Sequence, residues 1–184
     1  MPAGRIPVCF EDQHWRLRAN APAFRAAPLT VEALAATLGI AVDRVADRGA
    51  QLVDVGVEQL IVQLVDAEAV RSCRPDVALM LQHLGSVALS PQVYVWANTG
   101  PSAVESRFFG ASGTALEEDP ATGSACCNLG GWLVGEGARG IRLEVSQGAA
   151  VGRPSRLVLS VDDDGGIHVA GRVVEVGAGT VHVR

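Results

Sequence analysis

The nine residues from Cys126 to Val134 are apolar on nearly every side of the helix that their spacing predicts. A helix of that kind is stable only when it is enclosed, so the chain must supply strands or helices on more than one side of it. Gly130-Gly131 weakens its intrinsic helicity and lets another element approach the backbone closely. Immediately before it stands Glu117-Glu118-Asp119-Pro120-Ala121-Thr122-Gly123-Ser124-Ala125. This stretch gathers carboxylates, hydroxyls and a glycine where the first helical N–H groups lack partners and can receive an anion. An ordinary capped helix start would use the same residue types, and composition alone leaves both readings open.

The rest of the chain reads as strands with a few short helices. Arg5–Phe10 is a short apolar run whose Pro7 favours a sheet edge, and His14–Arg18 alternates as its hairpin partner would. The alanine- and proline-rich residues 21–28 break the pattern. Val31–Leu38 follows a Thr30 cap and ends at Gly39, and Val77–Leu84 follows Pro75-Asp76 and ends at Gly85, so both are predicted helices. Gln51–Val55 and Glu58–Val65 are predicted strands around Gly56. So are Ser86–Leu89, Val93–Ala97 and Ala103–Phe109, with Tyr94 and Trp96 on one face and Val93 and Val95 on the other. After the apolar helix, Ile141–Val145, Leu157–Val161, Ile167–Val169, Val173–Val176 and Thr180–Val183 read as an antiparallel meander, with His168 and His182 facing solvent. Strands on both sides of one enclosed helix give an α+β expectation: an antiparallel sheet wrapped, barrel-like, around a central helix near 122–135.

Composition removes several functions. Lysine is absent, all 15 basic residues being arginines against 20 acidic ones, for a formal charge of -5. A nucleic-acid backbone would want a basic footprint, and a lysine-anchored pyridoxal enzyme is excluded by inventory. Four cysteines (Cys9, Cys73, Cys126, Cys127) show neither disulfide-framework nor metal spacing, and no apolar run is long enough to span a bilayer. A cytoplasmic protein with no metal and no cofactor is expected.

Chemistry concentrates around the helix start. Asp119 is the one acid/base candidate, with Thr122 and Ser124 offering hydroxyls and the N–H groups of Gly123 to Ala125 pointing out of the turn. A second polar cluster, Gln147-Gly148 with Arg153 and Ser155, places two glycine-bounded turns and an arginine where an anion can be held, and Arg107 is a comparable cation just upstream. Cys126 and Cys127 point about 100° apart on a helix. They therefore read as core rather than as a nucleophile pair.

Taken in order, Arg107-Phe108, Glu118 to Ala125, Gln147-Gly148 and Gly152-Arg153-Pro154-Ser155 resemble the second half of the PhzF family, the phenazine biosynthesis-like proteins, as does the glycine-led strand from Gly56 to Leu64. The resemblance implies a diaminopimelate-epimerase-like fold of two similar domains with a cleft between them, and cofactor-independent proton movement on a small carboxylic acid. It implies Asp119 and Ser124 as catalytic positions, with Thr122, Gly123, Ala125, Arg107, Gln147, Gly148, Arg153 and Ser155 around the substrate. The family's glutamate base and Gly-His-Ala histidine have no counterpart in this sequence. Residues 1–20 accordingly read as the last strands of a first domain and 21–184 as the second, the resemblance lying mainly in the family's C-terminal half with the N-terminal catalytic part missing. A homodimer or a complementing N-terminal half would then complete the cleft. The other function considered is a catalytically inactive domain that binds a small acid or a protein partner.

Overall fold

The computed structural model describes residues 6–11, 13–27, 29–85, 91–180 and 182. The strand expected at Ser86–Leu89 lies outside them, as do Arg5, Val181 and Val183 of two others. Along the chain come β1 (Val8–Glu11), β2 (His14–Arg18), β3 (Ala23–Ala26), α1 (Val31–Leu38), β4 (Val45–Asp54), β5 (Glu58–Leu64), α2 (Ala67–Ser72) and α3 (Val77–Leu84). Then follow β6 (Gln92–Gly100), β7 (Ala103–Ser112), β8 (Ala115–Asp119), α4 (Gly123–Gly135), β9 (Ile141–Gln147), β10 (Ser155–Val161) and β11 (Ile167–Gly171).

All described strands join one sheet in the order β1-β2-β11-β10-β9-β7-β6-β5-β4-β3, with β8 pairing β7 outside that path. This corrects the expected barrel in two respects. The sheet is mixed rather than antiparallel, because α2 and α3 carry the chain from β5 to β6 and α4 lies on the crossover from β7 to β9, and a crossover returns the strand parallel. It is also open: its end strands β1 and β3 pair with β2 and β4 and not with each other, so the sheet does not close around a helix.

Period-two alternation sorts the core onto the two faces of the sheet. Leu52, Leu60, Val62, Val93, Val95 and Phe109 pack with Leu34, Leu38, Val70, Met80 and Leu84 of α1, α2 and α3. Val53, Ile61, Tyr94, Trp96 and Phe108 face the other way, into a second cluster with Ala125, Cys126, Leu129 and Trp132 of α4 and with Leu159, Ile167 and Val169. The two helical glycines explain how α4 is enclosed without a barrel. A Cβ on Gly130 would sit 2.9 Å from Leu159 Cδ1, and one on Gly131 would sit 2.9 Å from Val53 Cγ1 and 3.1 Å from Pro22 Cβ. One glycine therefore admits β10 and β11, and its neighbour admits β4.

Local expectations fare unevenly. In α1 the Thr30 side chain accepts from the Ala33 N–H and Gly39 adopts the left-handed conformation, so both ends follow from the residues that mark them. Residues 21–28 do not merely break the pattern: Ala23–Ala26 pairs along β4, and Arg25 makes a bidentate contact with Glu58. Val173–Val176 forms no strand and is exposed. Both edges of β11 are already taken by β10 and β2, which leaves the tail no neighbour there. His168, expected in solvent, is largely buried and lies 2.8 Å from Asp162 Oδ2.

Candidate functional site

The ends of four elements converge at one end of α4. Strand β8 stops at Asp119, β9 stops at Gln147, β5 starts at Glu58, and α4 begins after Thr122. The first intrahelical bond runs from the Cys126 N–H to the Thr122 carbonyl. The Thr122 side chain does not cap the helix, so the N–H groups of Gly123, Ser124 and Ala125 precede the hydrogen-bonded ladder.

Asp119 is held by the buried side chain of Gln147. The Thr122 N–H donates to Gln147 Oε1 at 3.3 Å, while Gln147 Nε2 donates to the Asp119 carbonyl at 2.7 Å and to Thr122 Oγ1 at 2.9 Å. Thr122 Oγ1 spends its own proton on Asp119 Oδ2, at 2.6 Å. Among the described residues, Oδ1 receives the Ala121 N–H alone, at 3.4 Å. Gly148, with φ of 82°, lies directly beneath this arrangement. A Cβ there would meet the Arg153 carbonyl and come within 2.6 Å of the Pro120 carbonyl, so only glycine lets the turn after β9 support Pro120.

Ser124 is exposed on the first turn of α4, and its Oγ accepts from Gln59 Nε2 at 3.2 Å. Gln59 is 2 % exposed and Asn128 wholly buried. Asn128 Nδ2 donates to Gln59 Oε1 and to the Val57 carbonyl, each at 2.8 Å, and Asn128 Oδ1 accepts from the Val55 N–H at 3.0 Å. Sequence reasoning missed this pair. Its signal was a lone amide inside an otherwise apolar helix, since a buried amide must find partners.

The remaining expected residues are placed differently. Arg107 is buried, with Nε and Nη2 on Glu118 at 2.9 and 2.7 Å, Nη1 on the carbonyls of Val70, Arg71 and Cys73, and its guanidinium 4.6 Å from the Phe109 ring centroid. Its fork thus ties β8 to α2 rather than facing the start of α4. Arg153 is exposed; its N–H donates to the Gly148 carbonyl, and its carbonyl accepts from the Ser155 hydroxyl at 3.0 Å. These two close the turn that carries Gly148.

Burial pushes the Cys127 thiol up to about 12 and the Cys126 thiol well above its ordinary range, so both are neutral sulfur in a packed core. Cys127 and Ser124 share the wall of a cavity of about 200 Å³ with Leu17, Ala19, Val55 and Val57. Among the described residues no group of three His, Cys, Asp or Glu side chains is placed to hold a metal ion, and no helix is long and apolar enough to cross a membrane.

Comparison with known proteins bears on the fold and the family. An uncharacterized isomerase of Pasteurella multocida (strain Pm70) is 37% identical over 131 residues, which is 71% of this chain and 44% of that protein. A Bacillus anthracis phenazine biosynthesis protein of the PhzF family superposes with a TM-score of 0.72 at 19% identity, covering 90% of this chain and 60% of that one. A protein described as a predicted epimerase from Pseudomonas aeruginosa superposes with a TM-score of 0.65 at 27% identity, covering 86% and 55%. The chain therefore spans about half the length of the relatives it matches. The family model for phenazine biosynthesis-like proteins, PhzC-PhzF, matches residues 1–181. That span corrects the expectation that the likeness rests mainly on a C-terminal half with an N-terminal part missing, because the match runs over nearly the whole chain and includes β1 and β2. This chain belongs to the PhzC-PhzF family of phenazine biosynthesis-like proteins.

Proposed function

We propose that this protein is an isomerase that moves a proton on a small carboxylic acid. The carrying observation is one carboxylate, Asp119, fixed through Oδ2 beside the unladdered N–H groups at the start of α4. Asp119 Oδ1 takes the proton from the carbon next to the substrate carboxylate, and the electron pair of that C–H bond moves into the carboxylate as an enediolate. The N–H groups of Gly123 to Ala125 and the Ser124 hydroxyl hold the negative oxygen, and a second acid returns a proton to carbon. The side-chain partner described for Asp119 is Thr122, which is no such acid. In this reading the second group comes from a partner chain facing Asp119, as in a homodimer. The names carried by the Pasteurella multocida and Pseudomonas aeruginosa relatives, isomerase and predicted epimerase, support the reaction class.

That no second acid is described beside Asp119 among the described residues favours one other reading, a domain that binds small acids without turning them over. Incorporation of solvent deuterium at the α-carbon of a panel of small carboxylic acids separates the two. Exchange that falls at least about 100-fold in Asp119→Asn supports the isomerase. Binding with no exchange across the panel leaves the binding domain.

A further inference from the structure

Resting on the proposed function, we infer that Gln59 and Asn128 act as positioning residues that fix Ser124 as a hydrogen-bond donor to the ligand, so the site selects for an acceptor oxygen at that point. Backbone groups have a polarity that cannot be reversed. The Val55 N–H can only donate, so the Asn128 atom it meets is Oδ1; the Val57 carbonyl can only accept, so the atom facing it is Nδ2. Both ends of the Asn128 amide are thereby assigned. Its second Nδ2 proton goes to Gln59, which must present Oε1 there. Gln59 is then left with Nε2 on its other side, and the two protons of that nitrogen go to Ser124 Oγ and Gln92 Oε1, at 3.2 and 3.4 Å. Ser124 accepts from Gln59, and its own proton is directed away from the protein interior.

The consequence for recognition follows from counting protons. A ligand group that must donate, such as an ammonium or an amide N–H, meets an oxygen with one lone pair already engaged by Gln59 and a proton facing outward. A carboxylate or enediolate oxygen meets a donor that requires no reorientation. In Gln59→Glu an ionised side chain keeps an oxygen toward Asn128 but presents a second one toward Ser124. The serine proton then turns inward, at nearly unchanged side-chain volume.

The test is the affinity of acetate, followed through the backbone amide resonances of Gly123, Ser124 and Ala125, in the wild type, Gln59→Glu, Ser124→Ala and the double variant. Each single change is expected to weaken binding about tenfold, the worth of one hydrogen bond to a charged group. The double variant is expected to bind no more weakly than either single one. Simple repulsion by the new carboxylate would instead multiply the two losses, and that result overturns the inference while the proposed function stands. If acetate moves none of these amides in the wild type, the proposed carboxylate site fails. The relay is then judged by the Gln59 side-chain amide protons, which must shift in Ser124→Ala; unmoved protons overturn it.

Discussion

Gln147 and Gln59 stand on opposite sides of the start of α4, and each controls a hydroxyl there, Thr122 in one case and Ser124 in the other. Both are buried, and both have amide orientations traceable to backbone groups of fixed polarity. Yet the hydroxyl protons run in opposite directions. Thr122 has Asp119 Oδ2 within 2.6 Å and donates to it, which closes that relay on the candidate acid/base. Ser124 has no such acceptor among its described contacts and is exposed, so its relay ends on whatever occupies the site. A buried glutamine amide paired with a hydroxyl thus makes an internal brace on one side and an outward donor on the other. What separates them is the presence of an acceptor behind the hydroxyl.

Breaking the outward relay at its root has the largest expected effect. Asn128→Leu keeps the branched shape in a larger side chain, strands the buried Val55 N–H and Gln59 Oε1 and takes a donor from the half-buried Val57 carbonyl, at a cost of roughly 2–6 kcal/mol. Urea unfolding measures the loss. Gly148→Ala strikes the inward relay from below, where the new methyl must displace Pro120 or the turn at Arg153 and adopt a positive φ. A loss of roughly 3 kcal/mol is expected in the same assay, with altered amide shifts at Asp119 and Thr122 and little change at Ser124. A change at both hydroxyls would show the two sides to be one network rather than two.

The smallest effect concerns the sulfur packed beside the outward relay. Cys127 is raised from 9.0 to about 12 and Cys73 from 9.0 to about 11, both by burial, so the unfolded chain releases thiol protons before the folded one does. Their contribution to stability is full below about pH 9 and is lost as pH rises toward 11 to 12, by about 1 kcal/mol per thiol at pH 10. Urea midpoints at pH 8 and pH 10, compared between wild type and Cys127→Ala, check the sign: the variant should be less sensitive to the change.

How much of this was legible in the sequence depended on whether its cause was local. Thr30 and Gly39 mark both ends of α1 because a cap and a left-handed turn need nothing but their neighbours. Tyr94 and Trp96 separate from Val93 and Val95 by strand period alone. Helix α2 left a local trace that went unread, since Asp66 caps it by accepting from the Ala69 N–H. Strand β3 left almost none, because its alanines and Arg25 pair with β4 through backbone groups. The open, mixed sheet follows from crossovers and from edge occupancy, neither of which a strand's own residues encode. At the site, Asp119 and Thr122 are three residues apart and could be read together, whereas Gln59 and Asn128 meet across 69 residues of chain. Only the folded sheet brings that amide pair under Ser124.

Neutron diffraction from a deuterated crystal tests the opposed hydroxyls most directly, because it locates the two deuterons themselves. Nuclear density is expected for the Thr122 hydroxyl deuteron on the line to Asp119 Oδ2, and for the Ser124 hydroxyl deuteron on the side away from Gln59 Nε2, which carries two deuterons of its own. A Ser124 deuteron lying on the line to Gln59, with the Gln59 amide reversed, would contradict this arrangement.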